Sequence, residues 1–199
     1  MRPRDRISDA HQNAVIDQFV EWLNLDKNTN FKVLERPDPP DAIIFNGKTT
    51  TWVEHCDLYR SSDEARSELS FVTPGEKHIP HSENPISDPD NRIAQQLVKR
   101  IKDKLTKSSY ADSFCKYGRG YLVISERDPL FDNDSLKAID MVIESSTFNE
   151  DKKYIKEVYL AVRGTDRLIF LRVNYHRNKF SIFINKFKRC LKKLTKQAS

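Results

Sequence analysis

The sequence lacks any apolar run approaching the ~20 residues that a membrane-spanning helix needs. Its first residues, MRPRDRISDAHQ, are basic, but no apolar stretch follows them, which argues against a secretory signal peptide. Cysteine is scarce, and Cys56, Cys115 and Cys190 are odd in number and far apart. They match neither a disulfide framework nor a zinc-binding pattern. These absences predict a protein of the reducing cytoplasm with no membrane segment.

Acidic residues are missing from the last part of the chain. Residues 176–199 contain eight Lys or Arg and no Asp or Glu, whereas the rest of the chain has 26 basic and 29 acidic residues. The net charge of +5 therefore comes from this end. The periodicity of residues 180–194 is typical of an amphipathic helix, and Lys186, Lys188 and Arg189 are candidate contacts to nucleic acid. A solvated helix face with a basic tail is the alternative.

Length and composition indicate a folded protein with one core. The chain has 199 residues, 38% of them apolar and 32% charged, which is too apolar for wholesale disorder. Strand and helix patterns alternate in its second half, so we expect an α/β fold with a central mixed β-sheet flanked by helices. We expect a single domain over residues 1–199. It comprises a core at about 9–125, additional strands and helices at 126–175, and a basic C-terminal helix and tail at 176–199.

Hydrophobic periodicity predicts the individual elements. The clearest helix spans residues 91–108, where apolar residues recur at every fourth position. The apolar run at 121–125 is typical of a strand in the middle of a sheet. Residues 60–90 contain several prolines and are expected to form a long loop, either a flexible flap or an unstructured insertion, in which SSDEARSE at 61–68 could form a helical turn. Further helices are predicted at 9–25 and 134–145, and further strands at 31–34, 42–45, 49–58, 158–162 and 167–174.

The most informative stretch is PDAIIFNGKTTTWVEHCDLYR, residues 40–60. Asn46-Gly47 lies between two strand patterns and is a strong signal for a β-hairpin. Asp41 opens the first strand and Glu54 lies inside the second, among residues that otherwise look buried. Alternation along the second strand directs His55 to the face opposite Glu54. Because an unpaired buried charge is costly, the two carboxylates predict a bound divalent cation.

Magnesium or manganese is the ion that suits this pair of residues. Mg²⁺ prefers oxygen ligands, and usually takes one or two protein carboxylates together with water and phosphate oxygens. An ion held in this way can polarise a phosphodiester and lower the pKa of the attacking water.

The order of these features resembles the PD-(D/E)XK nuclease superfamily, the restriction-endonuclease-like fold. The family pattern has a helix with an acidic residue, Pro-Asp at a strand start, Asp/Glu-X-Lys on the next strand, then a helix and another strand. Glu21, Pro40-Asp41 and Glu54-His55-Cys56 follow this order over about residues 9–125. The resemblance implies a nuclease for DNA or RNA. Asp41, Glu54 and the backbone carbonyl of His55 would bind the metal, and Gln95 would lie near the substrate.

The lysine of the family pattern falls on Cys56, which cannot supply a fixed positive charge. Lys99 on the following helix is the preferred replacement, both as the catalytic lysine and as a nucleic-acid contact, and Lys48 in the hairpin turn is the second choice. Alternatively, the enzyme works without this lysine. A third interpretation is a degenerate nuclease fold that binds nucleic acid or a partner protein. A homodimer is also compatible with the resemblance.

Several residues have competing interpretations. Asp38 also follows a proline and is the rival of Asp41, although an apolar strand directly follows Asp41. Glu21 is equally compatible with a solvated helix position. The imidazole of His55 is expected to be packed rather than to act as a base, and His78 and His81 form a weak metal-binding candidate. An interaction protein unrelated to nucleases would have Asp41 and Glu54 far apart.

Overall fold

A computed structural model describes residues 3–73, 75, 77–80, 87–127, 131–148 and 154–173. Its strands are β1 (Lys32–Glu35), β2 (Ala42–Phe45), β3 (Thr50–Leu58), β4 (Gly120–Glu126), β5 (Ile155–Arg163) and β6 (Leu168–Val173). They form one six-stranded sheet in the order β1-β2-β3-β4-β5-β6. The three central strands, β3, β4 and β5, run parallel, and the remaining neighbours are antiparallel. The predicted mixed sheet flanked by helices is therefore confirmed.

The predicted hairpin joins β2 to β3. Phe45 pairs with Thr50, and the intervening turn is closed by a hydrogen bond from the Asn46 amide to the carbonyl of Thr49, at 3.3 Å. The Asn46 side-chain oxygen also accepts from the backbone of Lys48 and Thr49, as turn asparagines commonly do. Gly47 adopts a φ of +88°, which a residue with a side chain rarely does. The Asn-Gly pair thus fixes the register that places Asp41 beside Glu54.

Helices cover both faces of the sheet. They are α1 (Pro3–Lys27), α2 (Ser62–Val72), α3 (Pro89–Leu105), a 3₁₀ helix (Ser108–Tyr110), α4 (Ala111–Tyr117) and α5 (Asn133–Ser145). On one face, α1 packs against alternate residues of the central strands, with Phe19 fully buried. On the other face, α3 and α5 form the larger core, with the predicted stripe of Ile93, Leu97, Ile101 and Leu105 buried. The central strands therefore have one set of residues under α1 and the alternate set under α3 and α5.

Local signals explain where α3 begins. The side chain of Asp88 accepts a hydrogen bond from the Asn91 amide, and Pro89 occupies the first turn, where its missing N–H costs nothing.

The buried strand predicted at 121–125 is β4, in which every residue is buried. In the described part of the chain, no helix is long and apolar enough to span a membrane.

Two regions differ from the sequence-based expectation. Residues 62–72 form a full helix within the predicted loop, because Ser61 caps the Glu64 amide and acidic residues occupy the first turn. Residues 108–117 form the 3₁₀ helix and α4, which are too short to show a complete apolar repeat in the sequence. The predicted helix at 180–194, with Lys186, Lys188 and Arg189, lies outside the described residues.

Candidate functional site

Asp41 and Glu54 lie side by side on the face of the sheet that α3 covers. Ala42 pairs with Val53 across the hairpin, so the antiparallel register brings Asp41 opposite Glu54. Both side chains are buried, with relative exposures of 7% and 3%. The charge of Glu54 also acts on the ionisation of Asp41, as expected for neighbouring carboxylates.

Glu54 has one satisfied and one unsatisfied oxygen. Its Oε1 accepts hydrogen bonds from the Lys104 ammonium at 2.6 Å and from the Tyr110 hydroxyl at 2.8 Å. The ammonium of Lys107 lies 3.8 Å from the same oxygen. Its Oε2 is buried and accepts no hydrogen bond from the residues that the structure describes. A buried carboxylate oxygen without a partner is costly, and here it is an available ligand for a cation.

Asp41 is held by the backbone of β3. Its Oδ2 accepts a hydrogen bond from the amide of His55 at 2.6 Å. Burial, reinforced by the charge of Glu54, raises the pKa of Asp41 to about 6, although the His55 amide and Lys104 oppose the rise. Asp41 therefore ionises close to neutral pH, where a nearby cation would favour its charged form.

Lys104 supplies the positive charge of the site from α3. Burial alone would lower its pKa, but Cys56 in its thiolate form and the Glu54 carboxylate raise the pKa on balance, so the side chain remains an ammonium. Its side chain is 16% exposed, which leaves it between the buried Glu54 and the solvent. Lys104 can thus pair with a carboxylate inside the protein and still meet an anion from outside.

Cys56 occupies the position of the lysine in the Asp/Glu-X-Lys pattern. It packs against the core under α3, and burial raises the pKa of its thiol to about 11. The thiol is neutral at physiological pH and provides neither a charge nor a nucleophile there. The ammonium that contacts Glu54 is that of Lys104.

Other candidates from the sequence are exposed to solvent. Lys99, the predicted replacement lysine, is exposed on α3, and it is Lys104 rather than Lys99 that contacts Glu54. Gln95, on the same helix, is also exposed. Lys48 is exposed in the hairpin turn, at the opposite end of β2 from Asp41.

The acidic alternatives are solvent-facing. Asp38 is exposed, in contrast to the buried Asp41 that follows it. Glu21 is exposed on α1, and α1 covers the sheet face opposite Glu54. His78 is exposed as well, and His81 lies outside the described residues.

A second polar cluster lies under α1, on the other face of β3. The imidazole of His55 points there, as alternation along the strand predicts, together with Asp57. His11 of α1 completes the cluster, with its Nε2 at 3.1 Å from Asp57 Oδ1. Burial lowers the pKa of His55 to about 4, so this imidazole is neutral at physiological pH. Ser125 of β4 lies within 2.8 Å of His55 Nε2.

Sequence reasoning missed Lys104, Tyr110 and His11. Lys104 is one of several lysines on α3, and only its position beside the buried residues Ile101 and Leu105 distinguishes it. Tyr110 follows in a short helix with no periodic signal. His11 lies far from His55 in the sequence, and only the packing of α1 on the sheet brings them together.

Comparison with known proteins gives no relative: no protein-family model, no curated protein and no solved structure matches the chain.

Proposed function

We propose that this protein is a metal-dependent nuclease whose centre consists of Asp41, Glu54 and Lys104. The observation that carries the proposal is the buried Oε2 of Glu54, which has no hydrogen-bond partner in the described part of the chain and lies in a carboxylate pair. Two adjacent buried carboxylates with a free oxygen are the donor set that Mg²⁺ or Mn²⁺ prefers.

The residues present fit such an ion. Asp41 and Glu54 would hold it, and the backbone carbonyl of His55 is the third ligand that the nuclease resemblance implies. When bound, the ion would polarise the scissile phosphate and lower the pKa of the attacking water. The amide of His55 already orients Asp41 in the pair. The ion would also offset the repulsion between the two carboxylates.

Lys104 takes the role that the resemblance assigns to the missing lysine. It is held by Glu54 at 2.6 Å, and the Tyr110 hydroxyl donates to the same carboxylate oxygen at 2.8 Å. A lysine in this position can orient a water or stabilise the negative charge that develops on a phosphate. Because the ammonium comes from α3 rather than β3, the Asp/Glu-X-Lys pattern is incomplete in the sequence although the charge is present in the fold.

The order of elements supports the same proposal. A helix, a strand preceded by Pro-Asp, a strand with Glu-X-Cys, a helix and a parallel strand follow one another, as in the family that the sequence resembles. Lys107, whose side chain is 44% exposed, adds a second ammonium beside that of Lys104 on the solvent side of the site. They suit a nucleic-acid backbone, because phosphate contacts need charge rather than sequence readout. The free thiols of Cys56 and Cys115 agree with the proposed cytoplasmic location.

Cleavage assays with carboxylate variants test the proposal. Supercoiled plasmid and single-stranded RNA are incubated with wild type, Asp41→Asn and Glu54→Gln, in Mg²⁺, Mn²⁺ or EDTA. We expect cleavage of at least one substrate by wild type with a divalent ion, and loss of at least about 100-fold in each variant. Glu21→Gln is the matched control, since Glu21 is exposed on α1, which covers the opposite face of the sheet. Activity that persists in both carboxylate variants would refute the assignment.

A degenerate nuclease fold that only binds nucleic acid or a protein partner is the second candidate. It is favoured by the neutral thiol of Cys56 and by the near-complete burial of both carboxylates. Under this alternative, wild type binds a labelled duplex but leaves it intact in every divalent ion. Binding that is equally strong in Asp41→Asn would then place the function outside the carboxylate pair.

A further inference from the structure

The polar cluster under α1 has the composition of a transition-metal site rather than a magnesium site. It consists of two imidazoles and one carboxylate, His11, His55 and Asp57, and one potential ligand atom of each lies within 4.8 Å of the others. Imidazole nitrogen is a ligand for zinc, copper, nickel and iron, whereas magnesium takes oxygen. The cluster is therefore chemically distinct from the pair formed by Asp41 and Glu54.

The distances agree with tetrahedral coordination. Asp57 Oδ1 lies 3.1 Å from His11 Nε2 and 3.7 Å from His55 Nε2. Two ligands at about 2.0–2.1 Å from a tetrahedral zinc ion are about 3.3–3.4 Å apart. Small side-chain adjustments would therefore bring all three atoms into one coordination sphere.

The ligands are held by separate elements of the fold. His55 and Asp57 are two positions apart on β3 and so share one face of the strand, while α1 places His11 above them. His55 is 6% exposed and is anchored in the sheet, whereas His11 and Asp57 have side chains that are 28% and 24% exposed. The outer side of the cluster is thus open to an ion from solvent, and its inner ligand is rigid.

Arg127 and Ser125 complete the surroundings. The Arg127 guanidinium lies 3.2 Å from both ring nitrogens of His11, and it also donates to Glu68. When an ion takes the His11 nitrogen, Arg127 keeps Glu68 as its partner. The Ser125 hydroxyl lies 2.8 Å from His55 Nε2, the same nitrogen that would bind the ion, so the ion would replace this hydrogen bond. The two carboxylates, Asp57 and Glu68, outweigh the single positive charge of Arg127, which leaves a net negative charge for a divalent cation.

We propose that His11, His55 and Asp57 form a second metal site, selective for Zn²⁺ and related imidazole-binding ions, with a fourth position open to water. Three protein ligands with an open fourth position is the arrangement of zinc sites that do chemistry or bind an exogenous ligand, whereas purely structural zinc sites have four protein ligands. The site lies on the opposite face of β3 from the Asp41–Glu54 pair and does not depend on the nuclease assignment.

Zinc binding by the full chain tests this site. Isothermal titration with Zn²⁺ is compared between wild type, His11→Gln and Asp57→Asn, two substitutions at partly exposed positions that keep hydrogen-bonding capacity. We expect the tightest zinc site to weaken by at least about 10–100-fold in both variants, since even loss of outer-shell partners has that effect. His78→Gln removes an exposed histidine elsewhere and should leave this site unchanged.

Two further measurements separate the site from other causes. Asp41→Asn should retain the zinc site, which distinguishes it from the carboxylate pair, and Co²⁺ substitution should give the visible absorption of a nitrogen-ligated tetrahedral ion. Circular dichroism and thermal melting without metal establish that His11→Gln and Asp57→Asn are folded. Zinc affinity equal to wild type in both folded variants, or no zinc binding by wild type, would overturn the proposal.

Discussion

Lys104 and Lys99 stand on the same helix, yet Lys104 meets a buried carboxylate while Lys99 faces solvent. The ion pair between Lys104 and Glu54 is nearly closed to water, with side-chain exposures of 16% and 4%. In such a pair each charge depends on the other, because neither has bulk water to stabilise it.

Lys104→Met should destabilise the metal-free protein by about 3 kcal/mol, because the substitution leaves the buried charge of Glu54 without its closest cation. Lys99→Met, at an exposed position on α3, should change stability by less than about 0.5 kcal/mol. Urea unfolding of the two variants in EDTA measures the difference. Equal midpoints and slopes would show that the Lys104–Glu54 pair contributes nothing to stability.

Asp41 gives a pH-dependent prediction. Burial and Glu54 raise its pKa from 3.8 to about 6, so the folded state binds a proton more tightly than the unfolded state. Wild-type stability therefore falls, relative to Asp41→Asn, as the pH rises from about 4 to about 6, and the difference then levels off at about 3 kcal/mol. Denaturant unfolding of both proteins in EDTA from pH 4 to pH 8 tests this. Other titrating groups such as His55 contribute similarly to the pH dependence of both proteins, so their contributions largely cancel in the difference. A constant difference across the range would contradict a raised pKa.

At the scale of elements, Trp52 connects the sheet to the candidate site. Its ring packs over Gly120 of β4, its Nε1 donates to the carbonyl of Gly118 at 2.8 Å, and the Tyr110 ring lies 5.1 Å away. Tyr110 in turn donates to Glu54. The indole thus positions the short 3₁₀ helix from which Tyr110 reaches the carboxylate.

Gly120→Ala should disturb this connection. A Cβ at residue 120 would lie 2.1 Å from a ring atom of Trp52, a contact that only movement of the indole or the strand can relieve. We expect a loss of about 1–3 kcal/mol in the free energy of unfolding, as for other overpacked cores. Chemical denaturation measures the loss, and Trp fluorescence should report the shifted indole. Unchanged stability together with an unchanged fluorescence spectrum in Gly120→Ala would contradict the packing argument.

The elements themselves were largely predictable from local sequence. Asn46-Gly47 specifies a turn, the stripe from Ile93 to Leu105 specifies α3, and YLVIS specifies a central strand. Each of these patterns is contained in a short continuous stretch of sequence. The carboxylate pair followed from the hairpin register. The contacts that complete both sites were not predictable, because Lys104 and His11 reach β3 only through helix packing, which sequence spacing does not encode.

At the scale of the whole molecule, β3 carries two polar sites on opposite faces of one sheet. Glu54 points toward α3 and its lysines, while His55 and Asp57 point toward α1. The His55 amide also bonds Asp41, so one strand supports both sites. The two sites have different ligand chemistry and are expected to respond to different ions, which allows each to be tested without the other.

The most direct test of the nuclease proposal compares single-turnover cleavage by wild type, Lys104→Met and Lys99→Met in Mg²⁺ or Mn²⁺, at a temperature where all three are folded. We predict metal-dependent cleavage by wild type, a loss of at least about 100-fold in Lys104→Met, and an unchanged rate in Lys99→Met. Both substitutions remove one positive charge from α3. Comparing them therefore separates the effect of the lysine beside Glu54 from the effect of the total charge of the helix. Equal rates in the two variants, or no cleavage by wild type on DNA or RNA, would contradict the proposal.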